Sequence, residues 1–112
     1  MFKNKRDDGK EIVVLIGDSL THGNVQPSWV NSMRKKMGEN FEFINAGISS
    51  TCSTTGAFRL KSHILNKGQI DLFFIEFAVN DDQDAGHAGR ECIRGMEGII
   101  RHARKAQPNM DI

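Results

Sequence analysis

Five consecutive apolar residues, Ile12-Val13-Val14-Leu15-Ile16, stand between the charged pair Lys10-Glu11 and the polar turn Gly17-Asp18-Ser19. Most are β-branched, and hydrophobicity that runs unbroken rather than alternating marks a strand covered on both faces. Such a strand needs other strands beside it and helices above and below it. That requirement restricts the chain to a layered arrangement of helices and parallel strands.

The remaining segments supply those parts. Phe41 to Asn45 reads as a second short strand, and Leu72-Phe73-Phe74-Ile75 with Phe77 as a third, apolar on both faces. Trp29, Val30, Met33 and Met37 recur at helical spacing, with Asn31, Arg34, Lys35 and Lys36 opposite. Pro27 suits the first turn of that helix, and Gly38 with Asn40 its end. Ile48 to Thr55 is dense in Ser and Thr, whose side chains compete for backbone hydrogen bonds, and predicts an irregular segment. A second helix follows, lined by Phe58, Leu60, Ile64 and Leu65 and stopped by Gly68. A third carries Cys92, Met96, Ile99, Ile100 and Ala103 on one side and ends at Pro108-Asn109. Its interior glycines, Gly95 and Gly98, each cost about 1 kcal/mol relative to alanine and point to close packing on the sheet.

The resulting β-α-β-α-β-α order predicts an α/β fold, a three-layer α/β/α sandwich around a parallel sheet with right-handed crossovers. A hydrophobic share of 38% and a charged share of 26% are ordinary for a globular domain, so residues 1–112 are expected to form one domain. No strand is predicted after the third helix. One sheet edge is then open, and an open edge invites pairing with another chain.

Charge and composition exclude several classes of partner. The 15 basic and 14 acidic residues nearly cancel, leaving no field to gather nucleic acid. Lys3, Lys5, Arg6 and Lys10 are interrupted by Asp7 and Asp8 and read as a solvated tail. No run approaches the roughly 20 apolar residues that span a bilayer, and no apolar leader precedes Ile12, so the default compartment is the cytoplasm. Cys52 and Cys92 lack C-x-x-C spacing and a histidine at ligand distance in sequence, which supports neither a zinc site nor a disulfide framework; Cys92 is expected in the core. No histidine pair has metal-ligand spacing and no glycine-rich phosphate loop is present, so no cofactor is expected.

Open α/β sheets bind ligands beyond the carboxyl ends of their strands. Three segments occupy those positions: Gly17-Asp18-Ser19-Leu20, Asn45-Ala46-Gly47 and Ala78-Val79-Asn80-Asp81. Ser19 follows a buried strand and precedes a helical region, where its hydroxyl can be exposed and a helix N-terminus favours negative charge. The N–H groups of Ser19 and Gly47 and the side-chain amide of Asn80 can converge on a developing oxyanion. Gly47, lacking a side chain, lets its amide approach a substrate oxygen.

In order and separation these three blocks resemble the GDSL or SGNH hydrolase superfamily, and the resemblance runs from about Ile12 to the end. It implies a flavodoxin-like sheet, an ester-hydrolysing activity through an acyl-enzyme on Ser19, and oxyanion roles for Ser19, Gly47 and Asn80. The implied partner is a small-molecule ester, an acylated lipid, sugar or thioester. Ala78 stands where the family has glycine.

A serine nucleophile needs a histidine base oriented by a carboxylate. The family supplies both in a D-x-x-H block after further strands, so this chain is expected to be a front portion lacking them. Asp84-Ala85-Gly86-His87 matches the letters but lies just past the third strand, and His87 reads as a surface loop residue. His22 reads as a rim or structural residue, and His63 and His102 as solvated faces of helices. The alternative from another class is a non-catalytic module of the same fold that binds a ligand or pairs through its open edge.

Overall fold

In the computed structural model, which describes residues 9–82 and 88–112, three parallel strands alternate with helices. In chain order they are β1 (Glu11–Gly17), α1 (Ser19–His22), α2 (Trp29–Met37), β2 (Phe41–Asn45), α3 (Ser53–His63), a 3-10 turn at Leu65–Lys67, β3 (Leu72–Glu76), α4 (Ala78–Asp82) and α5 (Ala88–Ala106). The spatial order of the strands is β2-β1-β3. The strand buried on both sides in the sequence is therefore the central one.

Alternate residues of β1 enter different cores, as the two-residue period of a strand dictates. Val13 and Leu15 meet Val30 of α2, with Met33, Met37, Phe43 and Phe74 packed around them. Ile12, Val14 and Ile16 face the opposite way, toward Leu60 of α3, Ile64 just after it, and Ile99 and Ala103 of α5. The layers are thus α2, the sheet, and α3 with α5, an α/β/α sandwich.

Helix ends follow local chemistry. Ser28 caps α2 by accepting the Asn31 N–H at 3.3 Å, so Pro27 stands outside the helix rather than in its first turn. Gly38 closes it at φ 83°, a left-handed value that favours glycine. The segment expected to be irregular to Thr55 turns helical earlier, because Ser53 already begins α3.

Three expectations change. Phe58, expected to line the buried side of α3, is 92% exposed. The buried face keeps Leu60 as expected but is otherwise Ser53, Gly56 and Arg59, small or polar residues that an apolar pattern does not select. The glycines of α5 pack against α3, not against the sheet: a β-carbon on Gly95 would lie 2.1 Å from Ser53 Oγ. Cys92, expected in the core, is only half-buried.

The chain also touches β3 after α5. Phe73 N donates to Asp111 O at 2.8 Å and Asp111 N donates to Asp71 O at 2.9 Å, forming one parallel bridge between Leu72 and Asp111. Gln107 fixes this approach by accepting from Ile70 N at 2.7 Å. The edge of β3 expected to be wholly open is therefore occupied at its start.

The two α5 glycines make a contrasting pair of predictions. Gly95→Ala is expected to destabilise, since overpacking against Ser53 costs roughly 1–3 kcal/mol and outweighs the helical gain. Gly98→Ala meets only Ala57 Cβ at 3.7 Å and is expected to stabilise by up to about 1 kcal/mol. Urea unfolding of the two variants beside the parent chain checks both signs.

Candidate active site

At the carboxyl end of β1 the chain turns into a single helical turn, α1. Asp18, fully buried, caps it by accepting the Leu20 N–H at 2.9 Å through Oδ1. Gly17 carries no side chain because a β-carbon there would stand 2.3 Å from Thr21 Oγ1 and 2.5 Å from the Glu76 carbonyl oxygen. Ser19 opens α1 and is half-buried. As a helix's first residue, its N–H is among those left without an internal partner. The four residues of α1 are too few to sum into the dipole expected of a long helix.

The second block is bound to the first. Beyond β2 the ladder continues, with Ala46 N donating to Leu15 O at 2.8 Å and Ile48 N to Gly17 O at 2.9 Å. Asn45 spans the gap: its Nδ2 donates to Thr21 O at 2.7 Å while its Oδ1 accepts from Gly47 N at 3.0 Å. Gly47 is buried against α1, where a β-carbon would lie 2.5 Å from His22 N. That backbone contact is a sufficient reason for glycine, distinct from the substrate approach inferred from sequence. Arg59 of α3, 7% exposed, donates through a terminal nitrogen to Ala46 O at 2.6 Å. Burial lowers its pKa below the usual arginine range.

The third block lies on α4 and holds the loop between the other two. Asn80, half-buried, donates through Nδ2 to Thr51 O at 2.9 Å. Thr51 Oγ1 in turn donates to Ile48 O at 2.7 Å. Buried Asp81 accepts from Ser53 N at 2.9 Å and so caps α3, whose own capping residue, Cys52, offers no side-chain bond there. Ser19, Gly47 and Asn80 thus lie on three neighbouring strand ends joined by continuous hydrogen bonding.

Histidines divide clearly. His22 Nδ1 is 3.0 Å from Gly47 O, and since a carbonyl only accepts, that nitrogen is the donor of the pair. His63 and His102 are exposed on α3 and α5. The Asp84 to His87 match lies outside the described residues. Among the described residues, no group of three or more His, Cys, Asp or Glu side chains is placed to hold a metal ion. No helix among them is long and apolar enough to cross a membrane. Cavities of about 400 and 480 Å³ lie elsewhere, one against Ile12, Ile44 and Ile70, the other between Leu60 and His102.

Sequence reasoning missed Arg59, Glu76 and the capping role of Asp81. Glu76 ends β3 in register with Gly17, and Thr21 Oγ1 donates to its Oε2 at 3.4 Å. The signal available was a lone acidic residue closing an otherwise apolar run.

A family model for GDSL-like lipases and acylhydrolases matches residues 15–112. The chain belongs to that family. The fold agrees: the SGNH-hydrolase esterase AlinE4 superposes with a TM-score of 0.67 at 24% identity, covering 86% of this chain and 54% of that one. The M. smegmatis aryl esterase gives 0.71 at 22% identity, covering 88% and 57%. A two-domain esterase (CEX) active on acetylated mannans gives 0.70 at 28% identity, covering 90% of this chain and 28% of that chain. The chain therefore spans about half the length of the first two. No curated protein matches it.

Removing the cap on α3 has two readouts. Asp81→Ala is expected to lower stability by roughly 1.5–3 kcal/mol, the worth of a hydrogen bond to a charged group. The Cys92 thiol, pushed up by burial and then by Asp81, should also fall toward its ordinary range and react faster with a thiol reagent at mildly alkaline pH. Unchanged urea midpoint and unchanged thiol kinetics would contradict both.

Proposed function

We propose that the chain carries the nucleophile and oxyanion donors of a carboxylic ester hydrolase, with Ser19 as nucleophile. The observation that carries this reading is the joining of three strand ends around a half-buried serine: Asn45 to Thr21, Ile48 to Gly17, and Asn80 to Thr51. Family membership and the esterase fold support it.

In this mechanism Ser19 Oγ attacks the ester carbonyl carbon, and the carbonyl electron pair moves onto oxygen. The Ser19 and Gly47 N–H groups and the Asn80 amide donate to that oxyanion, stabilising the charge where it develops. Collapse breaks the ester C–O bond, releases the alcohol and leaves an acyl group on Ser19, which water then removes. A histidine base of the D-x-x-H type that the family resemblance implies, expected outside residues 1–112, would take the Ser19 proton and return it to the departing alcohol. The substrate is a small ester with an accessible carbonyl, in keeping with partial exposure of Ser19 rather than enclosure.

A second reading, a non-catalytic module of the same fold, is favoured by one observation. The Gly47 N–H already has a protein acceptor, Asn45 Oδ1, and one of the two Asn80 Nδ2 hydrogens goes to Thr51 O. Such a module binds an acylated ligand without turning it over.

A serine-directed phosphonate separates the two readings. Under the hydrolase reading, peptide mass spectrometry locates the label on Ser19 in preference to the other serines, and Ser19→Ala abolishes it. Asn80→Ala should slow labelling by roughly 10²–10³-fold, the usual effect of losing one oxyanion donor. His22→Ala should leave the rate nearly unchanged. Label spread evenly over the serines, or persisting in Ser19→Ala, would favour the non-catalytic module.

A further inference from the structure

We propose that Glu76 is a positioning residue that carries a proton and donates it to Asp18 Oδ2, holding the turn that presents Ser19. The argument starts from an acceptor without a donor. Asp18 is completely buried; its Oδ1 takes the Leu20 N–H, while Oδ2 is buried with no hydrogen-bond partner. A buried carboxylate oxygen left unpaired costs far more than a paired one. The side chain neighbouring Asp18 is another carboxyl group, Glu76, and two ionised carboxylates can only repel. One proton between them turns the repulsion into an O–H···O⁻ bond, among the stronger kinds available to a protein.

Register fixes this encounter. Glu76 pairs with Gly17 in the parallel ladder, so the end of β3 lies beside the residue preceding Asp18. The groups facing the Glu76 carboxyl are Asp18 from the β1–α1 turn, the Thr21 hydroxyl from α1 and the Val79 N–H from α4. Among the described residues, none of these groups is a cation. Burial first, then the charge of Asp18 and the hydrogen bond with it, hold the Glu76 carboxyl above the ordinary glutamate range, while the Thr21 and Val79 bonds pull it down. The balance is upward.

The sign of the pH effect follows. A carboxyl group with a folded-state pKa raised above its unfolded value contributes stability that is complete below the unfolded pKa and lost as pH rises through the folded one. When Glu76 ionises, its charge pushes on the same side chain that caps α1, so Leu20 and Ser19 respond. The inference rests on the proposed role of Ser19 only for its catalytic meaning; the proton itself is read without catalysis.

The test uses the full chain with Glu76→Gln and Glu76→Ala. The Gln variant offers an N–H donor to Asp18 Oδ2 at every pH. Carbon-13 NMR of the Glu76 carboxyl should show titration above the ordinary range, and the Ser19 and Leu20 amide shifts should follow it in the parent chain but stay flat in Glu76→Gln. Urea midpoints should fall across the same pH interval in the parent, hold steady in Glu76→Gln, and be low throughout in Glu76→Ala. Phosphonate labelling of Ser19 should match between parent and Glu76→Gln on the acid side and lag in the parent on the alkaline side. An ordinary Glu76 titration, or Ser19 and Leu20 amides indifferent to it, overturns the proposal. Absence of any Ser19 label in both proteins, with the amide shifts as expected, instead overturns the hydrolase reading.

Discussion

Everything at the candidate site is placed by the pairing of β1 with a parallel neighbour on each side. Leu15 stands opposite Asn45 and Gly17 opposite Glu76, so one short register sets which residues leave the sheet together. A slip of one residue would turn Val13 and Leu15 toward α3 and α5 and Ile12, Val14 and Ile16 toward α2. The two apolar cores, different in size and shape, oppose that slip. Burial of β1 on both faces is thus what brings Ser19, Gly47 and Asn80 to one edge.

Buried aspartates fasten the rest to this frame. Asp71 accepts from Ile12 N at 2.6 Å at the start of β1, Asp18 from Leu20 N at its far end, and Asp81 from Ser53 N at the start of α3. Each is nearly or wholly inaccessible to solvent. Inside the protein such a bond from a backbone N–H to a carboxyl oxygen is not weakened by competing water. These contacts join segments 59, 2 and 28 residues apart in sequence, which is how short elements hold a fixed geometry.

β1 and β3 were legible because apolar runs of that length have few other uses, and the three polar blocks were legible because they follow the expected strands directly. What escaped was set by pairwise fit. Phe58 looks like a core residue in any apolar pattern, yet the close approach of α5 at Gly95 gives the buried face of α3 to Ser53 and Gly56. Arg59 and Glu76 are single charged residues beside apolar ones, and nothing in their neighbours announces that the first will reach Ala46 O or the second Asp18. The contact of Asp111 with β3 escaped for a related reason: a bridge of one residue pair has no periodicity to read. The oxyanion roles expected of Ser19, Gly47 and Asn80 came from the blocks and their order, whereas the structure shows what the Gly47 N–H and the Asn80 amide are bonded to.

The peptide joining Ala46 to Gly47 carries the consequence furthest. Its oxygen accepts from Arg59 and its N–H donates to Asn45 Oδ1, so both polar ends are fixed. A guanidinium on the oxygen draws charge through the amide and strengthens the N–H as a donor. Under the esterase reading, an oxyanion is a better acceptor than the neutral Asn45 amide oxygen, and the N–H can be shared between them or transferred without rotation of the backbone. Asn45 is exposed and keeps its other bond to Thr21 O, so its released oxygen turns to water rather than being stranded. Occupation of the Gly47 N–H by Asn45 is in this way compatible with an oxyanion role, because it aims the donor before substrate arrives.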